Sequence, residues 1–345
     1  MYLLTGSLLL SRLATSRTSW LPCRHLPSVI SCANATRYLS MQPITTPLTQ
    51  AATFLVLRVL DKPDAVDKVR AALARTSDLS KNVAVRDQTA AFACTVGIGS
   101  DAWDRLTRAA PRPKELHPFV EMRGAKHTAP STPGDVLLHI RAERRDLCFE
   151  FERQMMDALD GAVDVIDDTT GFRYFDGRDL LGFVDGTANP VGSDASNSVF
   201  VEADDGDPAA TGGSYVVVQK YLHDMRAWRT LPTERQESIV GRQKLDNVEL
   251  DDAAEPEQKS HKTLASVEGH DILRDNMPFG SPGTDTFGTY FIGYSRKLWV
   301  TERMLERMFV GDPTGKHDRI LDYSRPVTGS TFFVPSADML ESLGD

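Results

Sequence analysis

Acidic residues are missing from the first 60 positions of this 345-residue chain; the first is Asp61. The same stretch carries Arg12, Arg17, Arg24 and Arg37 and is rich in Ser and Thr. In LLTGSLLLSRLATSR the leucines fall on one face of a helix with basic residues beside them. A secretory signal sets its charge before the apolar run, whereas Arg12 follows it. This is the composition of a mitochondrial transit peptide. We expect a leader over residues 1–45 and a matrix location, or a cytoplasmic one if translation starts at Met41.

Other absences narrow the class. No run approaches the roughly 20 apolar residues of a membrane helix, so no span is expected. There is no basic excess: a net charge of -9 argues against nucleic-acid binding, which needs a positive surface. Cysteines number four, and Cys23 and Cys32 lie in the leader. Cys94 and Cys148 sit in apolar surroundings, which points to buried thiols and no disulfide framework. There is no CxxC and no local Cys/His cluster to signal structural zinc. What remains, 41% hydrophobic and 25% charged, fits one large soluble domain or two ordinary ones.

Apolar patterning places strands at 52–60, 91–99, 135–143, 163–175, 212–222, 286–295 and 329–336. Helical spacing marks 62–79, 101–109, 146–159, 231–242 and 299–311, with Thr233 as a candidate cap after Pro232. Residues 203–213 and 251–260 read as polar loops. Two segments share a pattern: LLHIRAERRDLCFEFERQMM and TYFIGYSRKLWVTERMLERM each run from an apolar strand through a basic turn into an amphipathic helix. The implied fold is α+β: two related halves, 50–180 and 181–345, each an antiparallel sheet with helices on one face.

Between the halves lies LLGFVDGTANP (180–190). Gly182 and Gly186 permit tight turns or close approach. Phe183 and Val184 want burial and carry Asp185 inward, where a carboxylate is costly unless paired or used. Downstream, His261 ends a polar loop, and Arg274 and Asn276 follow in LRDNMPFG, flanked by Leu273, Met277 and Phe279. Apolar neighbours of this kind would direct the two polar side chains into a pocket.

GFVDGT, then a histidine, then RDNMPFG, in this order, resembles the dye-decolourising peroxidases, specifically their B class, over residues 50–336. The resemblance implies two ferredoxin-like halves, with haem b in the C-terminal one. It implies Asp185, Arg274 and Asn276 as the peroxide-side set, His261 as the iron ligand and Asp322 as the acid bonded to that histidine. Arg242 is the implied partner for the haem propionates, with Lys244 as the alternative. GTANP stands where members often read GTENP, so Ala188 departs outside the catalytic core. Met277, Phe279, Phe287 and Phe291 could line the haem. Trp228, Trp299, Tyr221 and Tyr294 are available as oxidation sites, and none is assigned.

The chemistry is consistent with those roles. Imidazole is an axial donor to haem iron, and a carboxylate on its other nitrogen raises its basicity. A carboxylate can shuttle a proton, and an arginine can stabilise developing negative charge. Burial of Asp185 and Arg274 would be mutually compensated. His270, four residues before Arg274, is a rival ligand, but an element that delivers Arg274 to one face poorly places a ligand for the other. His117, His127, His139, His223 and His317 read as structural or exposed. The expected activity is hydrogen peroxide oxidising small organic donors such as dyes and phenolics through compound I, in a homo-oligomer. The alternatives are a haem-handling protein with incidental peroxidase turnover and a non-haem interaction module.

Overall fold

The run AATFLVLRV is apolar on both faces of a strand and forms β1 (Ala51–Val59), buried at every position but Arg58. The structure is a computed structural model that describes residues 40–254 and 257–345. The expected leader lies almost wholly outside the described residues. Its boundary at 45 falls inside the folded unit: Gln42 donates to the Val96 and Pro335 carbonyls and accepts the Val96 N–H, and Ile44 is buried.

The N-terminal half continues with α1 (Ala65–Ala74), α2 (Thr76–Ala84), β2 (Ala93–Gly99), α3 (Ser100–Leu106), the two-residue strands β3 (Met122–Arg123) and β4 (Thr128–Ala129), β5 (Val136–Ala142), α4 (Arg145–Leu159) and β6 (Val163–Phe172). The single helix expected over 62–79 is two. Thr76 Oγ1 donates to the Leu73 carbonyl at 2.7 Å and Arg75 leaves helical geometry, so the axis restarts.

The C-terminal half holds α5 (Ser193–Val199), β7 (Ser214–His223), α6 (Met225–Thr230), α7 (Thr233–Val240), α8 (His261–Leu264), β8 (Leu273–Arg274), β9 (Met277–Ser281), β10 (Thr286–Ser295), α9 (Leu298–Phe309), β11 (Ser324–Pro326), β12 (Ser330–Val334) and α10 (Ala337–Ser342). Pro232, not Thr233, occupies the cap of α7, and no side chain caps it. The shared pattern seen in the sequence is real: it is β5 into α4 and β10 into α9.

Ten of the strands form one antiparallel sheet in the order β6-β1-β5-β2-β12-β7-β10-β8, with β11 on β7 and β9 on β10, while β3 and β4 pair only with each other. The four strands β6, β1, β5 and β2 come from the first half and the rest from the second, joined where β12 meets β2. Alternation divides the core in two. Leu55 and Leu57 face α1 and α4 in one cluster, while Ala52, Phe54 and Val56 join Val216, Val218, Tyr290 and Ile292 in another. The half-sheets thus pack on each other, with Phe54 and Tyr290 stacked at 4.1 Å, and helices cover the outside. This is the expected ferredoxin-like α+β architecture.

Candidate functional site

LLGFVDGTANP is fixed by its apolar residues first. Leu181 and Phe183 are buried with Met225, Trp228, Ile239 and Val240. Trp228 Nε1 donates to the Leu181 carbonyl at 3.0 Å, and Arg178 donates to the carbonyls of Gly182 and Lys244. Gly182 (φ 97°) and Gly186 (φ 76°) both take left-handed backbone. A Cβ on Gly182 would meet Lys244 Cε at 2.4 Å, so this glycine makes room for a lysine stem. At Gly186 the turn aims the backbone N–H at Asp185 Oδ1, 2.7 Å away.

Asp185 Oδ1 also accepts from Asn276 Nδ2 at 3.3 Å, and Asn276 Oδ1 accepts from the Ile292 N–H at 3.1 Å. Asn276 therefore couples the carboxylate to β10. Asn189 grips the Arg274 backbone from both sides, donating to its carbonyl at 2.6 Å and accepting its N–H at 3.0 Å. Among the described residues nothing hydrogen-bonds the Arg274 guanidinium. Burial pulls its pKa down, opposed by the charges of Asp185 and Asp271. The expected compensation between Asp185 and Arg274 is thus through space and not an ion pair.

Asp275 points the other way. Its Oδ2 lies 2.9 Å from Arg141 Nη1, both side chains almost wholly buried. Arg141 also donates to Thr95 Oγ1 and to the carbonyls of Pro43 and Ile44. In the link between β8 and β9, Arg274 and Asn276 thus face the site while Asp275 between them anchors the segment to the N-terminal half.

His261 opens α8. Its Nδ1 lies 2.6 Å from Asp318 Oδ2, and Asp318 is fully buried. Burial works against the imidazolium, but the charge and hydrogen bond of Asp318 more than offset it, so the His261 pKa is raised. The expected partner, Asp322, is elsewhere: its Oδ1 accepts from Lys126, His127 and His317. Asp318 caps the 3₁₀ turn Arg319–Asp322 through the Ile320 N–H and points inward, whereas Asp322 ends that turn at the surface.

His261 Nε2 is left for the cavity that Asp185, Arg274 and Asn276 also line. The cavity has about 990 Å³ of empty space, counting its open mouth. Its walls are mostly apolar, with Ile272, Phe291, Met304, Leu305 and Met308 among them. Of the four apolar residues proposed to line it, only Phe291 does; Met277 and Phe279 are in the core and Phe287 packs near Trp228. His223 is a lining residue that sequence reasoning set aside. Asp179, which it missed, lines the wall too and accepts the Phe183 N–H at 2.9 Å. Burial raises its pKa to about 7.

A groove at the mouth holds Arg242, Lys262 and Arg307 beside His261 and Asp185. Arg242 is engaged by Glu249 at 2.9 Å and by the Asn247 carbonyl at 3.2 Å. Lys244, the alternative cation, donates to Gln236 and stacks over Phe183, away from the mouth. His270 lies outside the cavity, its ring 4.8 Å from that of Trp299. Trp299 is exposed, while Trp228, Tyr221 and Tyr294 are buried.

The donor set fits a haem. One imidazole has its far nitrogen fixed by a carboxylate and its near nitrogen open, the cavity is apolar, and an unpartnered guanidinium stands in it. Comparison with known proteins agrees. Residues 41–173 match the family model described as Dyp-type peroxidase, N-terminal, and residues 176–339 match Dyp-type peroxidase, C-terminal. A dye-decolorizing peroxidase of Rhodococcus erythropolis is 52% identical over 309 residues, covering 88% of this chain and 89% of that protein. The structure of a variant of DypB from Rhodococcus jostii RHA1 in complex with heme is 52% identical, with a TM-score of 0.84 over 89% of this chain and 99% of that one. A deferrochelatase of Escherichia coli matches at 28%, covering 64% of its length, so a haem-handling reading is not favoured.

Proposed function

The chain belongs to the Dyp-type peroxidases, and from that membership we propose how its own residues divide the work of a haem b enzyme. Hydrogen peroxide is reduced to water while two equivalents of an organic donor each lose one electron. When bound, the haem supplies the electrons that cleave the O–O bond and then takes them back singly from the donor.

His261 offers Nε2 to the iron, and Asp318 on Nδ1 fixes the ring orientation and strengthens the donor. Asp185 works through its carboxylate: Gly186 and Asn276 hold Oδ1, which leaves Oδ2 to take a proton from peroxide and return it to the departing oxygen. Arg274 cannot release a proton; its unpartnered guanidinium stabilises charge on that oxygen. Asp179, with a pKa of about 7, keeps a proton near neutrality on the same wall. Arg242, in the groove beside His261 and now paired with Glu249, is the cation that would hold the haem propionates.

The observation that carries this reading is the open Nε2 of His261 on a cavity shared with Asp185, Arg274 and Asn276. His261→Ala loses the Soret band on haem titration and His270→Ala keeps it. The reverse outcome would reassign the ligand.

The composition of residues 1–39 supports import into mitochondria, and fusing them to a reporter tests it: a cytosolic reporter rejects the leader. A homo-oligomer belongs to the same proposal, and a monomer mass by light scattering rejects it.

A further inference from the structure

Below the segment that carries Asp318, two imidazoles meet one carboxylate oxygen. His127 comes from the turn between β3 and β4, His317 directly precedes Asp318, and Asp322 ends the 3₁₀ turn. His127 Nε2 is 2.7 Å and His317 Nε2 3.1 Å from Asp322 Oδ1. The three donor atoms all lie within 4.8 Å of one another, and among the described residues no other group of three His, Cys, Asp or Glu side chains is so placed. The side chains are 18%, 12% and 28% exposed, so the cluster is held by its surroundings yet reachable from solvent.

We propose that His127, His317 and Asp322 form a binding site for one divalent transition-metal ion of the zinc class, separate from the haem. Two imidazoles and a carboxylate suit zinc, nickel or copper better than the oxygen-seeking calcium or magnesium. With metal–donor bonds near 2.0–2.2 Å, tetrahedral ligands stand about 3.3 Å apart. The two histidine–carboxylate separations, 2.7 and 3.1 Å, are hydrogen-bond lengths shorter than that value, so the side chains must part by up to about half an ångström to admit the ion, with water as the fourth ligand. Burial works against the Asp322 carboxylate, but hydrogen bonds from Lys126, His127 and His317 hold its pKa below the usual range, leaving it ionised for ligation.

A cation already stands at this place. Lys126 Nζ is 2.6 Å from the same Oδ1, on a side chain that is 56% exposed and can swing into solvent. The metal replaces the ammonium and competes with it. Gln258 lies 3.4 Å from His317 Nδ1, where its amide can present either its N–H or its oxygen as the ring changes tautomer. Occupancy would clip the β3–β4 hairpin to the segment bearing the acid on His261.

The test is calorimetric titration of the full-chain holoenzyme with zinc sulfate. The wild type binds one zinc per chain at micromolar affinity or tighter. His127→Ala and His317→Ala each weaken binding at least tenfold, while Lys126→Met, which removes the competing ammonium at an exposed position, tightens it. Zinc held by His25, Cys23 or Cys32 instead would be indifferent to all three substitutions. That result, or no binding by the wild type, overturns the proposal and leaves the cluster a hydrogen-bonded charge network. A Lys126→Met variant that binds no tighter also overturns it.

Discussion

Replacing Asp318 by Asn tests the centre of the site without changing its shape. The carboxylate accepts two donors at once: His261 Nδ1–H on Oδ2 at 2.6 Å and the Ile320 N–H on Oδ1 at 3.0 Å. An amide has one acceptor oxygen. Whichever donor it satisfies, its NH₂ is turned against the other. An unsatisfied buried donor costs about 1–3 kcal/mol. Loss of such a partner behind a metal-binding histidine costs roughly 10- to 100-fold in affinity or activity. We expect losses of that size in haem affinity, by titration of the Soret band, and in the rate of reaction with peroxide, by stopped-flow. Asp322→Asn, at the surface end of the turn, should change both less than about twofold, a typical effect away from a buried network. There is a pH arm as well. Asp318 raises the His261 pKa, so in the wild type protons compete with iron for Nε2 as pH falls below that raised value. In Asp318→Asn burial prevails, the pKa drops, and the acid limb of haem uptake moves to lower pH. A silent Asp318→Asn beside a damaging Asp322→Asn, or an acid limb that moves upward, would refute the assignment.

Arg274→Leu removes a preorganised donor and should slow the reaction with peroxide about 100- to 1000-fold at near-normal haem content. Full loss of acid–base catalysis at Asp185 would cost about 100- to 10000-fold, but water can relay the proton past Asn, so the loss in Asp185→Asn should fall below about 100-fold and Arg274→Leu should be the more damaging. If both variants react as fast as the wild type in stopped-flow, neither side chain acts on peroxide. Asp275→Asn leaves Arg141 buried without its counter-charge and should cost about 3–5 kcal/mol in urea unfolding; a loss under about 1 kcal/mol would mean the anchor is unimportant. Burial depresses the His223 pKa to about 4. The unfolded chain therefore binds the extra proton between pH 6.5 and 4, and folding loses about 3 kcal/mol across that window. His223→Gln should flatten that part of the stability profile, and an unchanged slope would place the acid sensitivity elsewhere.

The strand–helix pairs were legible because each has one dominant period: β1 and β5 are mostly apolar and are buried at every position but Arg58, and α4 and α9 repeat every three to four residues. GFVDG and RDNMPFG were legible because glycines and apolar flanks hold lone polar groups. Asp318 was not. It stands four residues from Asp322 in HDRILD, and on an α-helix the two would share a face. The chain there makes a 3₁₀ turn of about three residues per turn, which sets them a third of a turn apart. His127 and His317 are 190 residues apart in sequence, so no local spacing announces their meeting. The break at Arg75 turns on a threonine hydroxyl, which apolar periodicity does not register.

The seam between the half-sheets bears on how the chain is made. β2 ends at Gly99 and waits for β12, whose last residue is Val334, to cover its free edge. Those residues are 235 positions apart, which at about 5–20 residues per second is roughly 10–50 s of synthesis. The first half emerges with α1–α4 and its four strands of the large sheet in place, but with the backbone donors and acceptors on the outer side of β2 open. Strands in that condition pair with whatever edge is nearest. On a crowded polysome the nearest edge is the same strand of the neighbouring nascent chain. The last few residues of sheet to be translated thus decide between a closed fold and tangled siblings, and ribosome-stalled chains ending before Ser330 are where that competition can be observed.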